Sequence, residues 1–290
     1  MGILIKTAKN QIKNLDEPTV EGFGEEWAHF DQSKLTDIER EKIFEDYFSL
    51  FPWYLLPDSG AIGLDAGCGS GRWGQIVASK VKKLYLLDAS LKALSVARNN
   101  LSNYSNVEFI HKPIEEDMLP EASLDFAYSL GVLHHLPDPQ LALFAIAKTL
   151  KPGAPLLVYL YYDFDNRPFY YKWLWKISDM FRWLICRSPF RVRLFFCNVI
   201  AGSIYWPFAR MSLVLERLLG KTPVHWPLEY YKNESFYTMR TDALDRFGTR
   251  LETRFSKNKI QNLLEKSGFE KIVFSEKAPY WCAVGLKCTI

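Results

Sequence analysis

Several features are scarce or missing in this 290-residue chain, and their absence removes whole classes of protein. Its five cysteines (Cys68, Cys186, Cys197, Cys282 and Cys288) are scattered, odd in number and contain no C-x-x-C pair. That pattern offers neither a disulfide framework nor a zinc site, so no metal is expected and a reducing, cytoplasmic setting is. The opening M-G-I-L-I-K-T-A-K-N lacks the apolar core and small-residue cleavage site of a secretory leader, so none is expected. Charge of one sign is scarce as well. Thirty-six Lys and Arg against thirty-three Asp and Glu leave a net charge of +3, too little to imply nucleic acid. Repeats and low-complexity tracts are also missing. What is abundant is apolar: 48% of residues are hydrophobic and 15% aromatic, enough for a sizeable core in one large domain or a domain with an elaboration.

The stretch that organises the rest is Ala61–Trp73, A-I-G-L-D-A-G-C-G-S-G-R-W. It reads as a short apolar strand, an acid at its end, a glycine loop and a helix. Such a unit brings backbone N–H groups and a helix N-terminus close to a ligand, because glycine has no side chain in the way. The literal pattern Gly69-x-Gly71-x-x-Gly74 also fits a dinucleotide-binding loop. Asp65 argues against that: a carboxylate beside the loop repels a pyrophosphate but suits a ligand carrying an ammonium and a sulfonium.

Taken in order, residues 1–20 read as a loosely held arm ending in the breaker Pro18. Gly22–Phe30 reads either as a hydrophobic plug or as a lid, with Trp27 over the ligand. Thr36 caps a helix to about Phe51, with Glu39 three residues on. Strands are expected at 61–66, 83–87, 107–111, 124–129 and 155–161, and helices at 74–81, 91–101 and 139–150, with Ser90 capping the second. After Tyr162 the rhythm breaks for roughly ninety residues, too long for a structureless loop in a compact domain, so a helical cap is expected. It resumes at Ser256 with a helix and two strands near 271–275 and 281–287. Such alternation specifies a parallel sheet covered on both faces, with ligands at the strands' C-terminal ends. The expected division is an arm and lid over 1–57, a core over 58–162 and 256–290, and a cap over 163–255.

With Asp65-x-Gly67-x-Gly69-x-Gly71 in place, the chain resembles the class I S-adenosylmethionine-dependent methyltransferases over about Phe23–Lys151 and Ser256–Lys287. The resemblance implies a Rossmann-like α/β sheet in the order 3-2-1-4-5-7-6 with one antiparallel strand. It also implies S-adenosylmethionine as cofactor, held by Asp65, Gly67, Cys68, Gly69, Gly71, Asp88, Ala89, Ile114, Glu115 and Leu130. Asp88, twenty-three positions beyond Asp65, is where an acid accepts both ribose hydroxyls; its other reading is a helix cap. The acid that usually holds the adenine amino group falls on Pro113, a departure that Glu115, Glu116 or the Ile114 backbone would have to fill. Tyr128–Asp138 resembles the segment after strand four in small-molecule and quinone methyltransferases. His134 or His135 there is suited to take a proton from a substrate hydroxyl, and the competing reading is a pair of structural histidines in a tight turn.

The cap is basic and aromatic. Nine Lys or Arg lie within residues 167–217 against only Asp179 and Glu216. It reads as a solvated helical cap, as an electropositive lining for an anionic or sugar-linked acceptor, or as a membrane-surface element. Leu194–Ala209 is apolar, but Asn198, Ser203 and Pro207 interrupt it, and no spanning segment is expected. Acceptor contacts are expected from Trp27, Tyr161, Arg167, Tyr237, Arg240 and Arg246. The strings around Arg167 and Arg240–Gly248 resemble a bacterial group of methyltransferases associated with polysaccharide or natural-product pathways. The expected reaction is methyl transfer to a small-molecule acceptor, most simply at oxygen on a sugar or natural-product intermediate. Methylation of a lipid or quinone at a membrane, and a non-enzymatic scaffold, are the alternatives.

Overall fold

The computed structural model describes residues 14–115, 117–223 and 226–289. Seven strands form one sheet, β1 (Ile62–Ala66), β2 (Lys83–Asp88), β3 (Val107–His111), β4 (Phe126–Leu130), β5 (Pro155–Tyr159), β6 (Phe269–Phe274) and β7 (Cys282–Lys287), ordered β3-β2-β1-β4-β5-β7-β6. The first five are parallel, and β7 runs antiparallel between β5 and β6. This is the expected order. Period-two alternation sorts the strand residues onto two buried faces. Ala127, Leu156 and Val158 go to one, with α5 (Pro139–Thr149) and α10 (Lys257–Lys266). Phe126, Tyr128, Leu157 and Tyr159 go to the other, with α2 (Asp37–Phe48), α3 (Gly74–Val77) and α4 (Leu91–Asn100).

Helix starts follow their caps. Thr36, Ser90, Asp138 and Ser256 each accept a hydrogen bond from a first-turn N–H. Pro18 is a correction. It opens α1 (Glu17–His29), capped by Asp16, and does not break an arm: a proline in the first turn loses no hydrogen bond. The part of the expected arm before Asn14 lies outside the described residues. Strand edges also move. β4 starts at Phe126, because Leu124 pairs only as an isolated bridge to Leu150, and β6 starts at Phe269, directly after the turn at Gly268.

The inserted segment is helical, as expected: α6 (Phe169–Ile185), α7 (Phe190–Ile200), α8 (Trp206–Leu219) and α9 (Phe236–Gly248). It has its own core of Cys197, Ala201, Tyr205, Met239 and Leu244, into which Phe30 inserts from the end of α1. The expected interruption of the apolar stretch at Asn198, Ser203 and Pro207 is corrected here. Residues Phe190–Leu219 form a single run of thirty residues, long and apolar enough by composition to cross a membrane. A π turn at Ala201–Tyr205 joins α7 to α8, and Pro207 follows in the next turn, so it does not interrupt the helix. The run nevertheless lies along the domain, with Cys197, Ala201, Tyr205 and Ala209 buried.

Candidate active site

The C-terminal edge of the sheet carries two adjoining pockets. The first, about 880 Å³ with its open mouth, is floored by Gly67–Ser70, Asp88, Ala89, Pro113 and Ile114 and roofed by Thr19, Val20, Phe23 and Trp27 of α1. Gly69 has φ +54°, and a Cβ there would stand 2.8 Å from the Trp27 Nε1, so only glycine lets the loop pass under the lid. Asp88 fastens this loop: Oδ2 accepts from the Gly69 N–H at 2.9 Å, and Oδ1 from the Ser90 N–H at 2.7 Å. Each carboxylate oxygen keeps a further lone pair for a ligand. Ser90 is the helix cap, so the two readings of Asp88 are not in competition.

Of the expected cofactor contacts, Gly67, Cys68, Gly69, Asp88, Ala89, Ile114 and Leu130 line this cleft. Three do not. Gly71 packs on Leu101 and Ala97, and Glu115 accepts the Asn14 N–H at 3.3 Å. Asp65 sits behind the loop, 1% exposed, with Oδ2 lacking a hydrogen-bond partner. Burial drives its carboxyl well above the usual range, the nearby Tyr128 hydroxyl opposing and Asp88 reinforcing. Its influence on a ligand is therefore exerted through the loop and not by contact. Glu116 lies outside the described residues.

The second pocket, about 590 Å³, shares Phe23, Trp27, Arg72, Trp73, Leu130 and Gly131 with the first. Its other walls are Glu26 of α1, Tyr47 of α2, Tyr159 and Tyr161 at the end of β5, and Thr241, Asp242, Asp245 and Arg246 of α9. Spacing at i, i+1, i+4 and i+5 turns these four residues of α9 toward the sheet edge. Trp27, Tyr161 and Arg246 are thus brought together as expected. Arg167, Tyr237 and Arg240 are not among the lining residues. Arg240 donates from Nε to Asn198 at 2.7 Å and covers the Phe30 ring, tying α9 to α7; Tyr237 accepts the Gln32 N–H at 2.9 Å; Arg167 lies over Tyr171 and Tyr280.

The histidines divide. His134 is fully buried, stacked on Tyr161 at 3.9 Å, and its Nδ1 accepts the Tyr161 N–H at 3.3 Å. Burial holds its pKa well below the usual value, and it lines neither pocket, so its role is structural. His135 borders the cofactor cleft. Its Nδ1 donates to the Leu251 carbonyl at 2.6 Å, leaving Nε2 bare and 3.7 Å from Asp245 Oδ1. Burial lowers its pKa to about 4, so it is a neutral imidazole near pH 7.

Sequence reasoning missed the group best suited to move a proton. Asp245 takes a hydrogen bond from the Tyr161 hydroxyl on Oδ2, while Oδ1 has no hydrogen-bond partner. Burial, with Asp242 and Glu252 adding to it and the Tyr161 hydroxyl and Arg246 opposing, raises its pKa to about 7, which suits proton transfer at neutral pH. Glu26, 3% exposed, is pushed well up by burial and by Asp245 and Asp242. The signal that was available is the acid pair at i, i+3 on one helix, which sequence alone reads equally as a surface ion network.

Residues 64–158 match the family described as a methyltransferase domain. The chain is 36% identical over 93 residues to a ubiquinone biosynthesis O-methyltransferase of Pseudoalteromonas translucida, covering 31% of this chain and 39% of the relative. Over 140 residues it is 31% identical to the Salmonella arizonae protein of the same name, covering 44% and 57%. The matched stretch thus spans about half the length of these curated relatives. The structure of human N-acetylserotonin methyltransferase in complex with SAM is similar in fold, with a TM-score of 0.52, 17% identity, and coverage of 92% of this chain and 57% of that one.

Proposed function

We propose that this chain, which carries a class I S-adenosylmethionine-dependent methyltransferase domain, moves the methyl group to an oxygen of a small ring-bearing acceptor seated in the second pocket. The observation that carries this reading is the shared wall. Phe23, Trp27, Leu130 and Gly131 border both pockets, so a donor in one would lie next to an acceptor in the other.

The cofactor cleft suits its ligand: the Gly67–Ser70 backbone approaches closely, Asp88 would accept ribose hydroxyls, and Pro113 with Ile114 would flank the adenine edge. When bound, S-adenosylmethionine supplies an activated methyl group on a positively charged sulfur. The chain's own residues supply the rest. Trp27, Trp73, Tyr47 and Tyr159 give aromatic walls that orient a flat or ring-shaped acceptor and exclude water. Asp245, whose side chain lines the pocket, takes the hydroxyl proton, and the Nε2 of neutral His135 lies 3.7 Å from its Oδ1, outside hydrogen-bond reach in this structure. Tyr161 donates to the opposite oxygen and fixes the carboxyl's orientation.

Burial holds the Glu26 and Asp245 carboxyls up toward their neutral forms, so the pocket offers no strong charge of either sign and does not favour the strongly anionic substrate expected from the cap's composition. Glu26, Asp242 and Asp245 face it against Arg72 and Arg246. A neutral phenol, quinol or sugar hydroxyl fits better, and the aromatic walls together with the ubiquinone-pathway relatives favour a phenol or quinol. The test is release of S-adenosylhomocysteine across phenols, quinols, sugar nucleotides and amines. Turnover confined to hydroxyl acceptors supports the reading; turnover confined to amines, or none with any acceptor despite tight cofactor binding, overturns it.

A further inference from the structure

The outer surface of the cap is apolar on a scale that neither pocket uses. α6 shows water Tyr170, Trp173, Leu174, Ile177, Phe181 and Leu184, with Trp173 63% and Leu184 58% exposed. At 100° per residue these fall within one arc of about 100°, so the side facing outward is the apolar one. α7 adds Phe195, Phe196 and Val199, and α8 adds Met211, Val214 and Leu218, the last 75% exposed. α6 and α7 both pack on α9 and touch one another, and α8 continues α7, so their free sides form one continuous face. Contiguous apolar surface of this extent marks an interaction site.

The charge around that face selects the occupant. Lys172, Lys176, Arg191 and Arg217 are exposed on these three helices, and Arg187 in the turn between α6 and α7. The two acids there are already paired, Asp179 with Arg182 at 2.6 Å and Glu216 with Lys232 at 3.1 Å. Lys176 lies over the Trp173 ring at 5.4 Å, and Arg187 over Trp183 at 4.3 Å, so aromatic rings and cations meet along the border. Indole rings and long cationic side chains beside an apolar face match a bilayer's interfacial zone, where rings sit at headgroup level and cations reach phosphates. A second copy fits worse, because a two-fold contact through this face would set the same cations against each other.

We infer that the α6–α8 face is a docking surface for an anionic lipid bilayer, which the chain approaches from one side and does not cross. α9 then lies between the bilayer and the acceptor pocket, presenting Met239 and Leu244 to the cap core and Asp242 and Asp245 to the pocket. The surface does not depend on which acceptor is methylated, and its test reads binding alone.

The experiment is co-sedimentation of the full chain with vesicles of phosphatidylcholine alone or with roughly a third phosphatidylglycerol. Binding to the anionic vesicles that weakens with salt is the expected result. Ile177→Asp with Phe181→Asp should reduce partition by about tenfold or more, since two inserted apolar side chains are lost. Lys172→Glu with Lys176→Glu should reduce it only for anionic vesicles, by about fivefold for each charge removed. All four positions are exposed, so melting temperature and stabilisation by S-adenosylhomocysteine should hold in both variants. No sedimentation of the wild-type chain with either vesicle, or undiminished partition of the aspartate variant, overturns the inference. A wild-type dimer that the aspartate variant dissolves also overturns it, by assigning the face to a second copy.

Discussion

Asp245 is an ordinary acid whose behaviour is set by where α9 places it. Its pKa of about 7, against an ordinary 3.8, makes its ionised, base-competent fraction rise through neutrality. Activity limited by proton removal should therefore climb across pH 6–8 and level off above, and Asp245→Asn should remove the rise and lower kcat by roughly 10²–10⁴-fold. Cofactor affinity, read by calorimetry, should not move. Stability changes in the opposite sense. The folded chain binds this proton more tightly than the unfolded one, so the contribution is complete below about pH 4 and is lost as pH rises through about 7. A melting temperature that falls from pH 5 to 8 in the wild type, and falls less in Asp245→Asn, checks the assignment. Asp88 belongs to the same scale. Asp88→Ala should weaken S-adenosylmethionine binding by roughly ten- to a hundred-fold, or about 1.5–3 kcal/mol, through lost charge-assisted hydrogen bonds and a loosened Gly69. Asp88 was legible because its role follows from distance along the chain to a glycine loop. Asp245 was not, because its neighbours Tyr161, His135 and Glu252 come from three other segments and no local pattern announces them.

Among the elements, α1 does the most with few apolar residues. It lies against α4 so closely that a Cβ on Gly24 would stand 2.6 Å from Ser90 Oγ and 3.2 Å from Lys92 Cβ. Gly24→Val should push α1 off α4 and open the roof that Phe23 and Trp27 make over both pockets. Cofactor affinity and the Michaelis constant for acceptor should then worsen together, whereas a change in the cap alone would move only the latter. Helices that begin on a cap residue were readable to within a residue, because capping is a local hydrogen bond. α1 was not, since Pro18 reads equally as a breaker or a first-turn residue until Asp16 is seen accepting from Thr19. The cap helices were legible as helices, but not the side each would leave bare, which is decided by how α6 and α7 share α9.

In the whole molecule, two cores back the sheet and a third fills the cap, with Tyr237 of α9 packed against both the cap core and one of the sheet's. The sheet order was readable because the strand–helix alternation admits few topologies, and the cap because the alternation stops. The cap is bound to the N-terminal helices by charge: Arg193 with Glu25 of α1 at 2.5 Å, and Lys42 of α2 with the buried Glu234 at 2.6 Å. α1 therefore links the cap to the roof of the cofactor cleft.

That roof has a consequence for the sequence of events in turnover. Phe23 and Trp27 cover the donor's cleft and wall the acceptor's pocket, and Leu130–Gly131 serves both. A seated donor would complete one side of the acceptor's compartment, and an acceptor in place would hold α1 down. Donor should therefore enter first and spent donor leave last. In steady-state assays S-adenosylhomocysteine should compete with S-adenosylmethionine but inhibit non-competitively against the acceptor. Added viscogen should slow kcat in the wild type, where α1 must lift to free the spent donor, and slow it less in Gly24→Val, where the contact of α1 with α4 is already loosened.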